Sequence, residues 1–71
     1  MKIVFTEHAR KRLKERKIEE KDVIYTLFAP DKYKPTHNNR ICVSKKIGSK
    51  ILEIIYSEEK EKMIVITCYY L

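Results

Sequence analysis

A chain of 71 residues has room for one domain, over residues 1–71, with one thin apolar core, which excludes a deep, walled-off active site within a monomer. Lys and Arg outnumber Asp and Glu 16 to 10, a net charge of +6 that favours a polyanionic partner and says nothing about fold. No stretch approaches the roughly 18 apolar residues of a membrane span, and Lys2-Ile3-Val4-Phe5 is too short for a signal peptide, so no membrane is expected and the expected location is the cytoplasm.

Ile3, Val4 and Phe5 form a short apolar lead-in. Thr6 is a good helix N-cap, because its hydroxyl can accept a bond from an unpaired backbone N–H of the first turn. The run Glu7 to Arg16 contains no Gly, no Pro and no β-branched residue, and it predicts a helix with Ala9 and Leu13 on one apolar face. Ile18 precedes the acidic residues Glu19, Glu20 and Asp22, which suit the positive end of a second helix. Val23, Ile24, Leu27 and Phe28 supply that helix with its apolar stripe, and Ala29-Pro30 ends it. Asp31 to Asn39 is polar, contains Pro35 and reads as a loop long enough to suspect of function. Three strand-like runs follow, Arg40 to Ser44, Ile51 to Tyr56 and Met63 to Tyr70, rich in Ile, Val, Tyr and Thr. Gly48-Ser49 and the charged run Ser57 to Lys62 read as the turns between them.

Helices first and strands second predict an α+β fold: two N-terminal helices packed on a C-terminal antiparallel sheet of three strands, with room for a fourth. The charge is uneven along this order. Residues 1–40 carry 11 basic and 6 acidic side chains, net +5, and residues 41–71 carry 5 and 4, net +1. On that count the positive field belongs to the helical half. Cys42 and Cys68 stand far apart on predicted strands and are expected as reduced thiols.

The first helix carries the most informative pattern. At about 100° per residue, His8, Arg12 and Arg16 fall at roughly 0°, 40° and 80°, beside Ala9 and Leu13 at roughly 100° and 140°. The His/Arg stripe therefore borders the buried stripe, while Arg10 and Lys14 lie to the other side as solvated charges. His8 takes the second helical position, among exposed N–H groups that form an anion site. Imidazole is the side chain that takes and returns a proton near neutral pH, and a guanidinium grips phosphate oxygens with two bonds. Together they could hold a phosphodiester and deprotonate a neighbouring 2′-hydroxyl. The same residues have a plainer reading, in which His8 bonds a carbonyl and the arginines pair with Glu15, Glu20 or loop carbonyls. A second proton-transfer group would come from Tyr56, Tyr69, Tyr70 or His37. Alternation puts Leu52, Ile54 and Tyr56 on one face, towards the helices, with Glu53 on the other, which favours Tyr56, and Thr67 could donate a hydrogen bond from the last strand. Two histidines without H-x-x-H or E-x-x-H spacing make a metal site unexpected, and no cofactor is expected.

The run Phe5-Thr6-Glu7-His8-Ala9-Arg10-Lys11-Arg12-Leu13-Lys14-Glu15-Arg16-Lys17-Ile18, with Asp22-Val23 after it, resembles the opening of domain-of-unknown-function family 4258. Ile64-Val65-Ile66-Thr67 followed by Tyr69 resembles that family's closing strand. The family in turn resembles small ribonuclease toxins of the RelE/ParE-like type, for which a metal-independent ribonuclease activity is implied. On that resemblance His8, Arg12 and Arg16 are the functional candidates, with Thr67 and Tyr69 behind them. This sequence departs from the pattern at Glu19, where Ser or Thr would be the expected cap.

Three functions remain in view. The leading one is a metal-independent endoribonuclease, toxin-like, that binds RNA through Arg12 and Arg16, aided by Arg10 and Lys14, and uses His8 as acid and base. The alternatives are an RNA- or DNA-binding module without chemistry, and a protein-interaction module that meets an acidic, antitoxin-like partner at a helix or a sheet edge. The expected state is a monomer or a weak dimer.

Overall fold

The computed structural model describes residues 1–71, and its elements are β1 (Lys2–Phe5), α1 (Glu7–Glu15), α2 (Glu20–Phe28), β2 (Lys32–Pro35), β3 (Arg40–Ile47), β4 (Lys50–Glu59) and β5 (Lys62–Tyr70). The five strands form one sheet in the order β1-β5-β4-β3-β2. Strands β2 to β5 pair antiparallel with their neighbours, and β1 lies parallel to β5, with Ile3 opposite Met63 and Phe5 opposite Val65. The class is α+β as expected, but the sheet is mixed and five-stranded where three or four antiparallel strands were expected.

The two added strands come from the segments read as a lead-in and a loop. β1 forms because Ile3 and Phe5 pack against the core while the chain's other end supplies the partner strand. β2 forms because Asn38 and Asn39 both take left-handed backbone angles, φ 60° and 59°. Two such residues make the tight turn that matches the twist of a hairpin, and Asn is one of the few side chains that tolerates the conformation. The turn is closed by the Arg40 N–H on the His37 carbonyl at 3.2 Å and the Thr36 N–H on the Arg40 carbonyl at 2.8 Å. The segment 31–39 is therefore half strand, half hairpin.

Both helices lie against one face of the sheet. Ala9 and Leu13 of α1, Val23 and Leu27 of α2, and Ile18 between them share one core cluster with Ile41, Val43, Leu52, Ile54, Tyr56, Met63, Val65 and Cys68. Each fully buried Leu, Ile or Val in such a layer contributes about 1.5–3 kcal/mol, and this layer is the source of the fold's stability. Thr26, also buried, satisfies its hydroxyl by donating to the Asp22 carbonyl at 2.8 Å.

Helix ends show how local chemistry sets the geometry around α1. The Thr6 hydroxyl accepts the Ala9 N–H at 3.0 Å, as the sequence predicts. The same hydroxyl donates to the Ile66 carbonyl at 3.4 Å, and the Thr6 N–H donates to the Val65 carbonyl at 3.1 Å. The cap thus fastens the helix to β5. At the other end Lys17 takes φ 53°, and the Ile18 N–H reaches back to the Leu13 carbonyl at 2.9 Å, with Ile18 buried beside it. This is the Schellman arrangement, with Lys where Gly is usual. α2 has no side-chain cap at Glu19 and no basic residue in its last turn. Lys45 of β3 serves that end instead, its ammonium 2.7 Å from the Ala29 carbonyl and 3.3 Å from Asp31.

Candidate nucleic-acid interface

α1 runs beside the part of β5 that β1 does not cover. It starts at Val65 and Ile66, through the Thr6 bonds, and ends at Cys68, whose carbonyl accepts the Arg16 guanidinium at 2.8 Å. Along this line His8, Arg12 and Arg16 follow one another at intervals of about 6 Å of helix rise. His8 and Arg16 are exposed and Arg12 is half-buried, so the stripe lies on the surface. Its arginines already have partners within the chain: Arg12 pairs with Glu15 at 2.6 Å, and Arg16 caps the sheet edge. The Arg12 hydrogen bond holds the Glu15 carboxyl below its usual range. The plainer reading of the arginines is thus present in the structure together with the exposure that binding requires. His8 has no partner among the side-chain hydrogen bonds that engage its neighbours.

The remaining candidates separate. Arg10 stacks over Phe5 at 5.1 Å and faces Glu20 at 4.0 Å, and Lys14 is exposed, both off the stripe. Tyr56 is 3% exposed beneath the helices, and its hydroxyl is held protonated by burial first and then by Glu58 and Tyr33. His37 opens the β2–β3 turn, three strands away from β5. Thr67 and Tyr69 are half-buried on the sheet face opposite the helices, where Thr67 pairs with Ile55 and Tyr69 with Glu53.

On that open face lies a cluster that sequence reasoning did not assemble. The Tyr69 hydroxyl donates to the Glu53 carboxylate at 2.5 Å. That bond first, and burial second, push the Tyr69 phenol up to about 12, against a smaller opposing effect of the Arg16 charge. Glu53 also takes the Cys42 thiol as a neighbour, and burial followed by Glu53 raises that thiol. Arg16 thus joins the helix stripe to the open face at Tyr69. Alternation alone puts Glu53 opposite Leu52 and Ile54, but its partners follow from strand register, which a single sequence does not reveal.

The structure also redistributes the charge. Among the basic residues of 1–40, Lys32, Lys34 and Arg40 belong to β2 and β3, so the positive field is shared between α1 and the β2–β3 side of the sheet. No helix is long and apolar enough to cross a membrane, and no group of three or more His, Cys, Asp or Glu side chains is placed to hold a metal ion.

No curated protein and no solved structure matches this chain. One family profile does, described as a domain of unknown function, DUF4258, over residues 5–70. That match spans α1 with its His8-Arg12-Arg16 stripe, the sheet from β2 onward and the closing strand with Thr67 and Tyr69, and it covers nearly all of the chain: the protein is a member of the DUF4258 family.

Proposed function

We propose that the chain binds RNA at the α1 stripe and cleaves it without a metal ion, in the manner of a small ribonuclease toxin. The observation that carries this reading is the surface row His8-Arg12-Arg16, with Arg16 fastened to the sheet edge and His8 left without a partner. A phosphodiester lying along that row would meet two guanidinium forks, Arg12 exchanging Glu15 for a phosphate oxygen. The His8 imidazole would take the proton of the adjacent 2′-hydroxyl as its oxygen attacks phosphorus. The bond from phosphorus to the 5′-oxygen then breaks, a 2′,3′-cyclic phosphate forms, and the departing 5′-oxygen takes its proton from water. The chemistry needs no cofactor, since the substrate supplies its own nucleophile.

The test is incubation with defined single-stranded RNA in EDTA. Chelator-resistant cleavage by the parent is expected, with a fall of about 10²–10⁴-fold in His8→Ala, the usual size of one acid–base contribution. Arg12→Ala is expected to weaken RNA binding, and His8→Ala to leave the circular dichroism spectrum unchanged, since His8 is exposed. Equal cleavage by parent and His8→Ala would end the catalytic claim. An acidic, antitoxin-like protein docking on α1 is a second reading, favoured by the same basic stripe, and a stable nuclease-resistant complex with such a partner would support it.

A further inference from the structure

The open face of the sheet carries a charge layout that the α1 stripe alone does not explain. One cross-strand row runs the full width of that face: Tyr69 of β5 opposite Glu53 of β4, Glu53 opposite Ser44 of β3, and Ser44 opposite Lys32 of β2. Arg16 stands at the Tyr69 end of the row and Lys32 closes the other. Lys34, on the same face of β2, is near enough to Cys42 to favour its thiolate. Lys32 and Lys46 line a shallow hollow of about 170 Å³ whose floor includes Ser44, Ile51 and Glu53. The three lysines belong to none of the fold's ion pairs, which join Arg10, Arg12, Lys21 and Lys45 to acidic partners. Asp31 lines the same hollow, its carboxylate engaged by Lys45 and by the Lys46 backbone N–H.

The face is therefore bounded by two basic rims, Arg16 at the β5 edge and Lys32, Lys34 and Lys46 on the β2–β3 side. The outer strands of this row, β5 and β2, are about 14 Å apart, three strand spacings. Between them lie one carboxylate and half-buried side chains such as Thr67, Tyr69 and Ile55. We infer that this face is a track for single-stranded RNA, with phosphates held at the two rims and bases laid over the floor, so that Lys32, Lys34 and Lys46 form a second phosphate-binding site remote from His8. This deepens the proposed function and rests on RNA being the ligand. Glu53 repels phosphate and accepts N–H donors, so it suits a base edge at the middle of the track. A duplex presents its phosphates outward and keeps its bases stacked, and it would set phosphate charge against Glu53 without using the floor. Unstacked bases use both.

The test measures binding, independently of cleavage. The full chain carrying His8→Ala is titrated against a fluorescently labelled single-stranded oligoribonucleotide by anisotropy over a range of salt concentrations. Each lysine that neutralises a phosphate adds about 0.7 to the slope of log K against log salt. Adding Lys32→Gln, Lys34→Gln and Lys46→Gln together is expected to reduce that slope by about 2, while adding Lys21→Gln on α2 leaves it unchanged. All three lysines are exposed, so an unchanged circular dichroism spectrum is expected to show the fold intact. A slope untouched by the triple substitution but reduced by Arg12→Ala would overturn the track and leave RNA binding at α1 standing. RNA binding in the parent, lost with the rims but never followed by cleavage, would uphold the track and overturn the catalytic reading. Absence of RNA binding in every form would overturn both.

Discussion

The two faces of the sheet are made from the same strands and behave as different materials. On β4, Leu52, Ile54 and Tyr56 point towards the helices and are 0%, 0% and 3% exposed. Their immediate neighbours Glu53, Ile55 and Ser57 point the other way and stay half-open to solvent. The covered face has no charged residue in its buried core, and its one intruding lysine, Lys45, sets its ammonium over the Tyr25 ring and against the Ala29 carbonyl. The open face has paired polar groups, Tyr69 with Glu53, within reach of a helix-borne guanidinium. Stability is concentrated on one face, and the other stays partly open to solvent.

Adjacent isoleucines give the sharpest measure of that contrast. Ile54→Ala opens a cavity in the covered layer and is expected to cost about 2–5 kcal/mol, a large share of the stability of so small a domain. Ile55→Ala, one residue along and half-exposed, is expected to cost about 1 kcal/mol. Urea unfolding of the two variants checks the pair. Equal losses would mean that the open face is packed as tightly as the covered one, and the division would fail.

Next in size is the joint between α1 and the sheet. Thr6→Ala removes the cap on the Ala9 N–H and the bond to the Ile66 carbonyl, for an expected loss of about 1–2 kcal/mol. Thr6→Ser keeps both groups and is expected to recover most of it. Hydrogen exchange at the first turn of α1 distinguishes a frayed helix from a general destabilisation.

Legibility followed the range of the interactions. α1 was readable because its signals are local: a Thr cap, no helix breaker before Arg16, and a stripe fixed by helical periodicity. α2 was readable from its apolar spacing and from Pro30. The strands of the second half were readable in kind but short in extent. β3 continues past Ser44 because Lys45, Lys46 and Ile47 pair with Leu52, Ile51 and Lys50 up to the turn at Gly48, and β4 and β5 continue because Lys60 and Glu61 turn the chain with left-handed backbones and no glycine. β1 was hidden because four residues without a local partner show no pattern, and the partner strand begins 60 positions later. β2 was hidden because none of its residues is buried, so no alternation of polarity marks it, although Asn38-Asn39 was a hairpin signal that could have exposed it. The site divides in the same way. The His8-Arg12-Arg16 row follows from one helix, whereas the bond from Arg16 to Cys68, the Glu53–Tyr69 pair and the second lysine rim depend on register and strand order.

The smallest expected effect tests whether the open-face pair is a fixed bond or a loose surface contact. Tyr69 keeps its proton up to about 12, against an ordinary value of 10.0, because the phenol donates to Glu53 and is partly sheltered. A group that holds its proton more tightly when folded stabilises the fold fully below its unfolded value, near pH 10, and loses that contribution as pH rises from there through about 12. The parent should therefore lose stability more steeply across that window than Tyr69→Phe does, the two sharing every other titrating group. Tyr56 and Tyr70 are also raised, burial being the first cause in each, so phenolate absorbance alone would not identify the latest tyrosine. The assignment comes from Glu53→Gln, which should return one late transition towards pH 10, and from Tyr69→Phe, which should delete that transition. If neither substitution changes the late titration, the Glu53–Tyr69 bond is not maintained in solution. The open face would then be an ordinary solvated surface with no fixed polar centre between its two basic rims.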